Sequence, residues 1–170
     1  MKRAVVCLIL SSIFFATSCI FEKNPTDQEY EIAVGDDIPD FTVTMNDGSV
    51  VTAENLRKGK SLIMFFHSDC PDCRGTLPSV QKIYDEYLSK GVMFALISRS
   101  QTAEPIVAYW SEMGYTMLFS PQADREVYSL FASSRVPRVY ICKDGKIVSS
   151  YRDDPIPTYD QIKADIERLF

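Results

Sequence analysis

Two cysteines with two residues between them, Cys70-Pro71-Asp72-Cys73, stand where an apolar run gives way to a helical pattern. The run Ser61-Leu62-Ile63-Met64-Phe65-Phe66 predicts a buried strand, and residues 73–90 predict a helix. A Cys-x-x-Cys pair at such a junction places its first sulfur at a helix N-terminus. Unpaired backbone N–H groups and the helix dipole favour negative charge there, and the thiolate is the reactive form of cysteine. The chemistry such a pair supports is thiol-disulfide exchange.

Two other readings of the pair are weaker. A zinc site needs two further ligands, and outside the N-terminal segment the chain offers only His67 and Cys142, with no second Cys-x-x-Cys and no paired histidine. A purely structural disulfide closing so short a loop gains little chain entropy. Cys142 sits in the strand-like run Val139-Tyr140-Ile141-Cys142 and is read as a buried free thiol acting as a small hydrophobe.

At 170 residues the chain is long enough for one domain with a sufficient core. The net charge of −5 and the lack of a basic stripe argue against a nucleic-acid partner. Met1-Lys2-Arg3 is a basic start, and residues 4–16 are apolar but short for a bilayer span. The sequence Ala16-Thr17-Ser18-Cys19 resembles the lipobox of bacterial lipoproteins, although leucine is usual where Ala16 stands. Residues 1–18 are therefore expected to be a lipoprotein-type signal peptide. Cys19 would then carry lipid and anchor an exported, periplasmic or cell-envelope protein to a membrane; the simpler alternative is an ordinary secretory signal cut nearby. Export suits the cysteines, because such compartments permit disulfides. Residues 19–34, polar with Pro25, are expected to form a flexible tether, and the domain is expected over 35–170.

The elements that must position the cysteines follow from pattern. Residues 41–44 and 50–52 predict short strands around the turn Asn46-Asp47-Gly48, and residues 54–56 one helical turn. In the helix after Cys73, residues Leu77, Val80, Ile83, Tyr84, Tyr87 and Leu88 recur at three- and four-residue spacing, with Pro78 expected to kink it and Gly91 to end it. The continuous apolar run 92–98 suits a strand covered on both faces. Thr102 is expected to cap a helix reaching Met113; a short strand over 115–119 and a helix over 124–132 should follow. Val136-Pro137 precedes a strand over 138–142. The turn Lys143-Asp144-Gly145 leads to another strand over 146–151, and Thr158 with Gln161 forms a capping box for a last helix. This order predicts an α/β three-layer sandwich: a central mixed sheet with parallel central strands, an antiparallel edge and helices on both faces.

The ordered set of motifs resembles the thioredoxin superfamily, and more narrowly the exported TlpA/ResA-type thiol-disulfide oxidoreductases and related AhpC/TSA-like redoxins. The resemblance runs from Gly35 to Phe170. It is carried by Gly35-Asp36-Asp37-Ile38-Pro39-Asp40-Phe41, Asp47-Gly48, Gly59-Lys60, the strand into Cys70-Pro71-Asp72-Cys73, Pro78, and Val136-Pro137 before Val139–Ile147. It implies a thioredoxin-like fold with one αβ unit more than a minimal thioredoxin. It also implies a cis Pro137 facing the cysteines, with the Val136 backbone left to pair with a substrate segment.

Three positions depart from the family pattern. His67-Ser68-Asp69 stands where an aromatic residue is common before the first cysteine, Met64 where thioredoxins bury an acid, and Thr76 where ResA-like proteins carry a helix glutamate. The usual proton acceptor for the second cysteine is thus absent. Asp69 and Asp72 flank the thiols instead; their charge opposes thiolate formation while the helix N-terminus favours it. Either acid is a candidate proton relay, and His67 is a candidate tuner of Cys70.

The mechanism expected is attack by Cys70 on a protein disulfide, followed by resolution by Cys73, with no cofactor beyond a redox-active Cys70–Cys73 disulfide and no metal. Partners would be protein thiols and disulfides and a membrane or periplasmic redox partner, met by a monomeric domain. One alternative is a peroxiredoxin-type peroxidase, whose PxxxTxxC motif is lacking because Ile63 and His67 hold its Pro and Thr positions. Another is a copper-binding chaperone on the same fold, which resembles CxxxC with a distant histidine rather than this pattern.

Overall fold

A computed structural model describes residues 29–170. The expected signal peptide over residues 1–18, Cys19 and the first part of the expected tether lie outside the described residues. Two short strands, β1 (Thr42–Thr44) and β2 (Val50–Thr52), form an antiparallel pair of their own. The main sheet has five strands in the order β5-β4-β3-β6-β7. Here β3 is Lys60–Phe66, β4 Val92–Ser98, β5 Phe119–Ser120, β6 Arg138–Lys143 and β7 Lys146–Tyr151. Strands β3, β4 and β5 run parallel, and β6 and β7 run antiparallel to their neighbours. The helices are α1 (Ala53–Leu56), α2 (Pro71–Tyr87), α3 (Ala103–Met113), α4 (Glu126–Ser129) and α5 (Tyr159–Glu167).

Alternation along β3 sorts the layers. Phe66 meets Trp110 of α3, ring centroids 5.0 Å apart, on the face that also carries α2 and α5. Phe65 points to the opposite face, where Tyr128, Phe131 and Tyr140 surround it. The crossovers β3-α2-β4 and β4-α3-β5 continue in one direction, so right-handed connections put both helices on one side. This is the α/β thioredoxin-like sandwich expected from the sequence.

Several expected boundaries move. Helix α2 starts at Pro71, not Cys73, because proline at the first helical position lacks only an N–H that would be orphaned anyway. It ends at Tyr87 in a 3-10 turn closed by Gly91 at φ +83°, which leaves Leu88 exposed rather than on the buried stripe. Thr102 holds the N-cap position of α3, but its side chain makes no capping bond. The strand expected over 115–119 shrinks to Phe119–Ser120. Gln81 on α2 takes the Thr116 N–H at 3.0 Å and bonds its hydroxyl at 2.8 Å, so this backbone is satisfied without strand pairing. Helix α4 stops at Ser129, and the following residues turn back to meet the N-terminal segment.

That last contact corrects the expected tether. Residues 29–34 do not hang free of the domain. Glu31 bridges Ala132 as an antiparallel pair, the Ile32 N–H donates to the Phe131 carbonyl at 2.8 Å, and Ile32 is buried. The cause is electrostatic as well as apolar. Arg138, on β6, is fully buried, and its Nη1 reaches the Glu31 carboxylate at 2.8 Å. A buried guanidinium requires a counter-charge, and the segment expected to be a linker supplies it.

Candidate functional site

The register of the sheet assembles the site. In β3–β4, Phe66 lies beside Ser98, so His67 and Arg99 leave the sheet at the same end. In β3–β6, Phe65 lies opposite Arg138, which brings Val136 and Pro137 to that end from the other side. The Arg99 N–H donates to the Phe66 carbonyl at 2.8 Å and locks the two exits together.

The turn between β3 and α2 is held from within. The Cys70 N–H donates to the His67 carbonyl at 3.0 Å, and the Asp69 N–H donates to His67 Nδ1 at 3.2 Å. Gln101 grips Ser68 twice: the Ser68 N–H donates to its Oε1 at 2.9 Å, and its Nε2 donates to the Ser68 hydroxyl at 2.7 Å. Arg74 Nε donates to the Ser68 carbonyl at 2.6 Å. Ser68 and Gln101 are both buried, so these bonds lie away from competing water.

Cys70 is the N-cap residue of α2 and is partly exposed; its side chain makes no capping bond to the first turn. Its Sγ lies 3.4 Å from the Val136 carbonyl as a thiol donor. The Val136–Pro137 peptide bond is cis, and so is Asp154–Pro155. Cys73, one turn into α2, is fully buried. Burial pushes its thiol far above the ordinary cysteine range; the neighbouring Cys70 adds to this, while the His67 backbone and the charge of Arg99 oppose it. Cys142 is sealed in β6, its thiol pushed up to about 12 by burial and partly restrained by the Ser61 hydroxyl. All three are free thiols.

A groove of about 440 Å³ opens beside Cys70, walled by His67, Asp69, Val136, Arg99, Arg135 and Asp153. Of the residues singled out in the sequence, Cys70, His67, Asp69 and Val136 thus meet here, with Pro137 next in the chain. His67 is half-buried, and its Nδ1 is taken by the Asp69 N–H, which leaves the proton of a neutral ring on Nε2. The Asp69 carboxylate is exposed and lies 3.4 Å from Arg74 Nη2. Asp72 stands on the exposed side of the first turn of α2 and takes no part in the groove wall; only its backbone carbonyl is engaged, by Thr76 Oγ1 at 2.8 Å. Met64 and Thr76 are buried. Among the described residues, no three side chains of His, Cys, Asp or Glu gather as a metal-binding group.

Sequence reading missed Arg99, Arg135, Asp153 and the Ser68–Gln101 clasp. Arg99 reaches the site through the register of β4 on β3, which local pattern does not encode. Arg135 adopts φ +62°, and no residue pattern announces that.

A half-exposed cysteine at a helix start, a buried partner one turn on and a cis proline across from them, on this sheet order, define an oxidoreductase of the thioredoxin superfamily. Comparison with known proteins agrees. The Redoxin family model matches residues 33–166, and the chain belongs to that family. Within it the chain is TlpA/ResA-like. It is 24% identical over 169 residues to the thiol-disulfide oxidoreductase ResA of Bacillus anthracis, covering 98% of this chain and 94% of that protein. ResA of Oceanobacillus iheyensis is 24% identical over 146 residues, covering 84% and 74% respectively. Among solved structures, a thioredoxin-family thiol:disulfide interchange protein from Chlorobium tepidum superposes with TM-score 0.69 at 16% identity, covering 81% of this chain and 98% of that one. The thioredoxin domain of a thiol-disulfide oxidoreductase from Bacteroides vulgatus gives TM-score 0.65 at 20% identity, covering 80% and 99%. These two show the shared fold.

Proposed function

We propose that this protein is a thiol-disulfide oxidoreductase acting on protein substrates, with Cys70 as nucleophile and Cys73 as resolving thiol. The observation that carries this reading is the asymmetry of the pair: Cys70 opens on a groove and Cys73 is sealed behind it. In the reducing direction the Cys70 thiolate attacks one sulfur of a substrate disulfide, forms a mixed disulfide and expels the other sulfur as a thiolate. Cys73 then loses its proton and attacks Cys70 Sγ. The substrate leaves as a dithiol, and the protein keeps the Cys70–Cys73 disulfide. Two electrons pass to the substrate, and the two thiol protons balance the two sulfurs released. The reverse sequence oxidises a substrate.

The Val136 backbone, beside Cys70 Sγ, offers an edge on which an extended substrate segment can lie. No cofactor beyond the cysteine pair is required. Export by the N-terminal signal, a lipid on Cys19, a periplasmic or cell-envelope site and a membrane or periplasmic redox partner complete the proposal. They rest on the sequence of residues 1–19, and no helix among the described residues is long and apolar enough to cross a membrane.

The test is exchange with a protein disulfide. Cys73→Ser should accumulate a mixed disulfide on Cys70, and Cys70→Ser should abolish exchange. Full activity in Cys70→Ser would exclude the mechanism. The measured reduction potential then assigns direction: a value near about −270 mV marks a reductant and one near about −120 mV an oxidant.

A further inference from the structure

The groove beside Cys70 carries charges of both signs, and most of them are paired. Arg135 Nη1 lies 3.3 Å from the Asp153 carboxylate, and Arg74, just outside the wall, lies 3.4 Å from that of Asp69. Arg99 differs. No carboxylate among the described residues comes within ion-pair distance of it. Its Nε is buried and has no hydrogen-bond partner. Its guanidinium carbon stands 5.9 Å from the centre of the Tyr128 ring, while its backbone is fixed by the Phe66 carbonyl at 2.8 Å. A guanidinium held this way presents donors in a planar fork that fits a carboxylate.

We propose that Arg99 is a carboxylate-binding subsite, and that the preferred protein substrates carry an aspartate or glutamate within a few residues of the cysteine that Cys70 attacks. This deepens the thiol-disulfide reading of the site and rests on it. An extended segment lying along Val136 with its sulfur at Cys70 has the opposite wall of the groove within side-chain reach, and Arg99 is on the groove wall. The overall charge of −5 repels acidic segments at long range. A local cation beside the reacting sulfur therefore selects which acidic segments bind, rather than drawing in all of them.

The test uses two peptide disulfides of equal length, one with Glu two residues from its cysteine and one with Gln there. Both are assayed for kcat/KM with the wild type, Arg99→Gln and Arg99→Lys. The wild type should favour the acidic peptide, and Arg99→Gln should lower the acidic-to-neutral ratio about tenfold, mostly through KM. Arg99→Lys should restore part of the ratio, and raising salt from about 0.05 to about 0.5 M should shrink it in the wild type and in Arg99→Lys but not in Arg99→Gln. Lys82→Gln, which removes the same charge from an exposed position on α2, should leave the ratio within about twofold. An equal loss on both peptides in Arg99→Gln would overturn the proposal and make Arg99 a group acting on the protein's own sulfurs. No preference for the acidic peptide in the wild type would also overturn it. Failure of the wild type to exchange with either peptide would instead strike the thiol-disulfide reading itself.

Discussion

Glu31→Gln should destabilise the domain by about 2–3 kcal/mol although Glu31 lies far from the cysteines in sequence. Arg138 is completely buried, and its strongest ionic partner is Glu31 at 2.8 Å. Removing one partner of a fully buried pair costs about 3–5 kcal/mol, because the remaining charge stays desolvated and unpaired. Two features lower the figure here. The Glu31 side chain is 20% exposed, so its own desolvation is incomplete. Arg138 also keeps the Ser134 carbonyl at 2.7 Å and the more distant Glu29 carboxylate at 3.7 Å. At about 3 °C per kcal/mol for a domain of this size, the melting temperature should fall by about 6–9 °C. Thermal unfolding followed by circular dichroism reads this directly. The double variant Glu31→Gln/Arg138→Met should recover most of the loss, since it leaves no buried charge behind. A melting temperature for Glu31→Gln within about 1 °C of wild type would refute the reasoning and return residues 29–34 to the status of a passive tether.

Alkaline pH supplies a second test. Burial raises the Cys142 thiol from an ordinary value of 9.0 to about 12, so above pH 9 the unfolded chain releases this proton before the folded one does. The stability it contributes is complete below pH 9 and is lost as pH rises toward 12. Urea titrations of Cys142→Ala should therefore show a loss between pH 8 and 10.5 about 2 kcal/mol smaller than in wild type, at about 1.4 kcal/mol per pH unit; equal losses would contradict it. At the turn before Cys70, Gln101→Ala should leave the buried Ser68 N–H unsatisfied. It should cost about 2 kcal/mol in urea unfolding and slow exchange at Cys70, and an unchanged exchange rate would show that the clasp does not position the sulfur.

The strand-to-helix junction that holds Cys70 and Cys73 was legible because several local signals agreed. A short unbroken apolar run suits a covered strand, Pro71 suits a helix start, and the spacing of Leu77, Val80 and Ile83 sets the buried face of the helix. The second apolar run fixed β4 at Val92–Ser98, and the Thr158–Gln161 capping box marked the start of α5. What was illegible depended on partners distant in the chain. Residues 29–34 look like a linker because Ile32 alone makes no periodic pattern, and the charge that fixes Glu31 lies 107 positions away at Arg138. The strand expected over 115–119 failed for the same kind of reason, since Gln81 satisfies that backbone from another element. The groove cations Arg99 and Arg135 come together through sheet register, which local sequence does not encode.

The central claim is that one sulfur meets the substrate while its partner waits inside. Brief alkylation of the fully reduced protein with iodoacetamide, followed by peptide mapping, measures this at each cysteine. Cys70 should be labelled at least about tenfold faster than Cys73, and Cys142 should react only after unfolding. Labelling of Cys73 at a rate equal to or above that of Cys70 would contradict the assignment of nucleophile and resolving thiol.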